Sequence, residues 1–171
     1  AREKKTLRLI FSEDIPYKDS CVNQAMTKNG EFENETYRVQ YGPGGIASIV
    51  YKAEGEELLD KNAPALGAPV YQIFPNGERG DAAGFGYSPG GKPPMEIHDP
   101  ELLSFEMVER GEVFTHLKAA WRIKGAAEAI THYYFYTGVP KIMVTAEIAK
   151  DLVRDPEGMY VCLPFRAEGG E

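Results

Sequence analysis

The chain has 171 residues, with 19 Lys and Arg against 26 Asp and Glu, and so a formal charge of −7. That balance argues against a nucleic-acid partner, because such proteins use Lys and Arg to displace counterions from phosphates. Hydrophobic residues make up 43% of it, enough for a packed core without disulfide or metal staples, and 18 Gly with 12 Pro point to a turn-rich, β-rich chain of one domain or at most two small ones.

Residues 1–30 are an N-terminal segment with no assigned role, and a β-sandwich domain is expected over 31–171. Leu7 to Phe11 is strand-like, and Lys18 to Lys28 is the one weak helical candidate. No apolar run approaches the roughly 20 residues of a membrane span, so no membrane partner is expected. Ala1-Arg2-Glu3-Lys4-Lys5 is followed by no signal-peptide core. Nothing assigns a compartment, and the segment reads as cut from a longer chain. Cys21 and Cys162 have neither disulfide-framework nor metal spacing, and read as two buried thiols.

Strands then follow by alternation. Tyr37, Val39 and Tyr41 alternate with Thr36, Arg38 and Gln40 up to a Gly42-Pro43-Gly44-Gly45 turn. Ile46 to Lys52 continues, Glu54-Gly55-Glu56 turns into Glu57-Leu58-Leu59, and Ala68 to Phe74 is another strand. Pro75 to Pro100 breaks the pattern, a 26-residue stretch with six Gly and five Pro, expected as a long rim loop outside the sheets. After it comes an antiparallel meander over about residues 102–149. Leu103, Phe105 and Met107 mark its first strand. Val113, Thr115, Leu117, Ala119, Trp121 and Ile123 share the buried face of the second. Ala129, Thr131, Tyr133 and Phe135 oppose Ile130, His132, Tyr134 and Tyr136 in the third, and Ile142, Val144, Ala146 and Ile148 mark the fourth. Tyr160 to Phe165 is the last expected strand. The fold class is therefore all-β, with two packed antiparallel sheets in a sandwich.

Few residues carry a chemical signal. His116 and His132 fall on the polar faces of adjacent strands and can sit side by side if the hairpin turns near residue 124; zinc would want three or four ligands, and spacing supplies no third. His98-Asp99 offers an oriented imidazole only if the neighbours face each other. Glu33, Glu35, Glu54, Glu56 and Glu57 read as a solvated edge and turn rather than as a hydrolytic carboxylate pair. In the long loop, Arg79, Asp81, Phe85, Tyr87 and His98 are residue types that stack on and hydrogen-bond sugars; the alternative is a loop pinned to its own sheet by two aromatics. No phosphate loop and no nucleophile elbow is present.

The run Glu33-Asn34-Glu35-Thr36-Tyr37-Arg38-Val39, then Gly45-Ile46-Ala47-Ser48-Ile49-Val50-Tyr51-Lys52, then Glu57-Leu58-Leu59-Asp60, resembles the start of the C-terminal β-domain of family 38 glycoside hydrolases, the α-mannosidase family. Val108 to Glu112, Ala129 to Tyr136, Val139 to Ile142 and Met159 to Phe165 keep the later order, so the resemblance spans about residues 31–166. It implies part of a galactose-mutarotase-like supersandwich, which is normally longer than this chain. The family's catalytic aspartates and its divalent metal, zinc, belong to a separate N-terminal domain. No catalytic residue, metal ligand or cofactor is carried over to any position here. The implied partners are a carbohydrate and the catalytic domain of the same parent chain, with the domain itself non-catalytic. A stand-alone carbohydrate-binding module and a mutarotase-like epimerase are the other readings; the last needs a His acid and a Glu base on the concave sheet face.

Overall fold

The computed structural model of the chain describes residues 21–26, 29–74 and 95–166, with side chains left undescribed at 21–24. Every regular element among the described residues is a strand. In chain order these are β1 (Cys21–Ala25), β2 (Gly30–Glu33), β3 (Tyr37–Gly42), β4 (Gly45–Tyr51), β5 (Glu56–Glu57), β6 (Pro69–Ile73), β7 (Glu96–His98), β8 (Glu101–Arg110), β9 (Phe114–Arg122), β10 (Ala126–Tyr136), β11 (Ile142–Lys150) and β12 (Glu157–Val161). They form three antiparallel sheets rather than the two expected, ordered β1-β8-β9-β10-β11, β2-β3-β4-β5 and β12-β6-β7, because among the described residues β6 pairs with β7 and β12 and with no strand of the other two sheets.

The meander is the largest sheet, and its period-two pattern sets its inner face. Thr115, Leu117, Ala119 and Trp121 of β9, and Ala129, Thr131, Tyr133 and Phe135 of β10, are all buried. The four-stranded sheet packs across them through rings. Phe32 meets Phe135 edge-on at 5.1 Å, Tyr37 meets the same ring at 6.0 Å, and Tyr41 meets Phe105 at 5.6 Å. Edge-to-face pairing sets the positive rim of one ring against the negative face of another. Val39, Ile46 and Ile49 fill the space between.

The connection from β5 to β6 is held to β10 by buried hydroxyls. Tyr133 donates to the Leu66 carbonyl at 2.8 Å, and Thr131 donates to the Gly67 carbonyl at 2.8 Å. Trp121 donates its indole N–H to Thr131 Oγ1 at 3.1 Å. These bonds satisfy polar groups that would otherwise cost free energy in the interior.

Several expectations shift. Cys21–Ala25 is not helical but extends the five-stranded sheet beside β8. The long loop is shorter than its Gly and Pro content suggests, because Glu96–His98 pairs with Ile73–Tyr71 of β6; residues 75–94 lie outside the described residues. Leu103 is half exposed, since the register slips between Leu102 and Ser104 and a bulge turns it off the core face. Val113 is 65% exposed because β9 begins only at Phe114, leaving it in the turn. The last strand runs from Glu157 to Val161 rather than from Tyr160, its register set by antiparallel pairing with β6; Phe165 keeps only a bridge to Leu59. Cys162 is a free, half-buried thiol, held above the usual thiol range by burial and by Asp99.

Candidate functional site

The face of β9 and β10 turned away from the core carries chemistry that the inner face cannot. Phe114, His116 and Lys118 of β9 and His132, Tyr134 and Tyr136 of β10 alternate with the core residues, and all are half-buried. The β9–β10 register places Tyr136 opposite Phe114, Tyr134 opposite His116, and His132 opposite Lys118. Direct and diagonal cross-strand neighbours therefore bring five rings together.

Their geometry is continuous. The His116 imidazole stacks on Tyr134 with centroids 4.4 Å apart and planes 15° apart. Phe114 meets Tyr134 edge-on at 5.6 Å and Tyr136 at 5.9 Å. The ammonium of Lys141 lies over the Tyr136 ring, 4.8 Å from its centre. His116 Nε2 lies 2.9 Å from His132 Nδ1, so one imidazole donates and the other accepts. His132 Nε2 points on toward Glu147 Oε1 of β11, at 3.7 Å. The result is a ring-lined surface with a shared imidazole proton and carboxylates at its margins.

Burial holds His116 below the usual imidazole range; the facing His132 and, more weakly, Lys118 act in the same direction, while Glu109 opposes them. A histidine whose folded pKa is depressed binds its proton more readily in the unfolded chain. Its contribution to stability is therefore complete above about pH 6.5 and is lost as the pH falls through the folded value. The melting temperature of the wild-type chain is expected to fall between pH 6.5 and 5 more steeply than that of His116→Gln, as followed by circular dichroism. Parallel slopes for the two proteins would contradict this.

The residues expected from the sequence fall in different places. Arg79, Asp81, Phe85 and Tyr87 lie outside the described residues. His98 is on β7, in a different sheet from the ring face. It stacks on Tyr71 at 5.9 Å, and its Nε2 lies 3.1 Å from both Glu96 Oε2 and Lys124 Nζ. Its partners are thus Glu96 and Lys124. Beside it, the Tyr71 hydroxyl donates to Glu157 at 2.5 Å, and Lys150 pairs with the same carboxylate. Burial and the Glu157 carboxylate push Tyr71 up to about 12. Of the acidic residues expected at an edge and turn, Glu33 pairs with Arg38 and Lys52. Glu57 instead accepts from Ser48 Oγ and from the backbone N–H groups of Ile49 and Leu59, which closes the β4–β5 turn.

His116 and His132 do meet, as the hairpin reading allows. Phe114, Tyr134, Tyr136 and Glu147 are site residues that the sequence reading does not mark out. The signal for the rings was present: aromatic or imidazole residues at every second position of two strands joined by one short turn. Among the described residues no group of three His, Cys, Asp or Glu side chains is placed to hold a metal ion, so the two imidazoles have no third ligand. No described helix is long and apolar enough to cross a membrane. Comparison of the chain with protein-family models, with curated proteins and with solved structures finds no match.

Proposed function

We propose that the chain is a non-catalytic β-sandwich domain of a glycoside hydrolase resembling the α-mannosidases, and that it packs on a catalytic domain and helps to hold the glycan. The observation that carries this reading is the ring face of Phe114, His116, His132, Tyr134 and Tyr136. The C–H groups on one face of a pyranose are weakly positive and match the negative faces of aromatic rings. The imidazole pair and Glu147 supply donors and acceptors for hydroxyls beside that platform. The ordered runs from Glu33 to Phe165, within an all-β chain of antiparallel sheets, support the family resemblance and the finer reading of a partial galactose-mutarotase-like supersandwich. Zinc, on this reading, belongs to the catalytic domain. Arg79, Asp81, Phe85 and Tyr87 remain the loop candidates for further sugar contacts, and His98 on β7 is a strand candidate.

Titration of the labelled chain with mannose or α-mannobiose, followed by NMR, tests the proposal. Shifts are expected at the five ring residues, and Tyr134→Ala should weaken binding about tenfold, the equivalent of 1.4 kcal/mol. The purified chain should not turn over an aryl α-mannoside. Unchanged spectra at tens of millimolar sugar would remove the glycan-binding reading. The approach of His132 to Glu147 favours one rival, a mutarotase-like epimerase using an imidazole acid and a carboxylate base. Accelerated interconversion of sugar anomers in a polarimeter, abolished by His132→Gln, would select it.

A further inference from the structure

Among the described residues, the five-stranded sheet ends in a strand with little to protect it. β11 is a nine-residue edge strand, paired among the described residues only with β10. Its pairing with β10 is regular from Glu128↔Ala149 to Phe135↔Ile142, and it contains no proline. Edge strands are normally blunted by bulges, prolines, central lysines or short length. At the opposite edge β1 shows such a device, being five residues long with a slip in its register. In β11 the only charged residues are Glu147 and the terminal Lys150.

Among the described residues the inner face of β11 is only partly covered: Ile142, Val144 and Ile148 touch the rim of the core. On β10, Ala129, Thr131, Tyr133 and Phe135 are at most 3% exposed. On β11, Ile142, Val144 and Ile148 are only half-buried, and Ala146 is exposed. The described layer that seals β10 covers its neighbour only in part. Among the described residues, the backbone edge is unpaired and the apolar side chains beside it are only partly covered on the same strand.

We infer that a second copy of this chain occupies this edge, its β11 antiparallel to the first and the twofold axis passing between the two Ala146 residues. The strand's own sequence carries the register. Centred on Ala146, Val144 lies beside the partner's Ile148 on the inner face. Thr145 faces the partner's Glu147 on the outer face. Just beyond the strand, Lys141 meets the partner's Asp151, and the twofold axis repeats that ion pair at the other end. A shift to Glu147 would set two glutamates face to face. A shift to Thr145 would place Lys141 against the partner's Ala149 and lose both ion pairs. The interface is isologous, and the two inner faces continue on the same side of one joined sheet. This inference stands on the β11 edge and does not rest on the sugar-binding reading, although Lys141 and Glu147 also border the ring face.

The test is the mass of the purified chain by analytical ultracentrifugation from micromolar to millimolar concentration. The wild type is expected to approach twice 19.0 kDa as concentration rises. Lys141→Glu alone and Asp151→Lys alone should each hold the chain at the single mass, with unchanged circular dichroism. The two together should restore the dimer, because the charges again oppose across the axis. In a Cys21→Ser, Cys162→Ser background, Ala146→Cys should form an intermolecular disulfide in air. Its Cα atoms would lie about 4.5–5.5 Å apart across the axis, within disulfide range. Thr145→Cys should not cross-link. A single mass at every wild-type concentration would overturn the inference. So would a dimer indifferent to Lys141→Glu, or slow amide exchange along β11 in a monomer, which would place a segment of the same chain on the edge.

Discussion

Replacing Trp121 with alanine is expected to cost about 3–5 kcal/mol, the range for deleting a large buried aromatic. Trp121 is 5% exposed and sits between Leu102 on β8 and Ala129 on β10 in the register of the sheet. Its ring reaches across to the four-stranded sheet, so closely that a Cβ built on Gly45 would lie 3.2 Å from Cη2. Alanine leaves a void with rigid walls on both sides, and strands locked into ladders cannot collapse into it. The indole N–H also feeds Thr131 Oγ1, whose hydroxyl holds the Gly67 carbonyl. Trp121→Phe keeps most of the volume but removes that donor, and should cost about 1–2 kcal/mol, in line with the loss of one buried hydrogen bond. Urea denaturation followed by circular dichroism measures both. A midpoint for Trp121→Ala within error of wild type would mean that Trp121 does not face the core.

Gly67→Ala should be as damaging, by two mechanisms that can be separated. Gly67 has φ +74°, where an L side chain costs about 1–2 kcal/mol. An added Cβ would also stand 2.6 Å from Thr131 Cγ2 and 2.7 Å from Tyr133 Oη. Neither neighbour can retreat. Tyr133 is fully buried and bonded to Leu66, and Thr131 is bonded to Gly67 itself. Overpacking of this kind adds about 1–3 kcal/mol. Gly55 isolates the first mechanism, since it has φ +69° with nothing within 4 Å of an added Cβ. Gly55→Ala should therefore show the backbone cost alone, and Gly44→Ala, in open space, almost none. The single tryptophan provides a fluorescence readout for all three. Equal losses at Gly67 and Gly55 would refute the packing part of the argument.

Alternation along the chain was enough to establish strands at Tyr37–Gly42, Gly45–Tyr51, Pro69–Ile73 and through the meander, because a period of two forces side chains to opposite faces of any extended backbone. The same rule puts Trp121 and Thr115 inside and His116 and His132 outside whatever the partner strand. It failed where alternation is broken by something non-local. The bulge at Leu103 depends on how β8 meets β9, and a lone strand carries no sign of it. Glu96–His98 reads as loop because its three residues are a strand only by pairing with β6. Cys21–Ala25 is likewise a strand through its pairing with β8, in a stretch whose local pattern was weakly helical.

The candidate site divides along the same line. The residue types on the ring face were visible in the sequence, and one hairpin turn was enough to suggest that the two histidines meet. Tertiary structure alone decided the stacking of His116 on Tyr134, the reach of His132 to Glu147 on a third strand, and the placing of His98 in another sheet with Glu96 and Lys124. Periodicity in one strand determines which face a side chain takes. What it meets on that face depends on strand order, register and where the covering layer ends, all of which are set by contacts far apart in the chain.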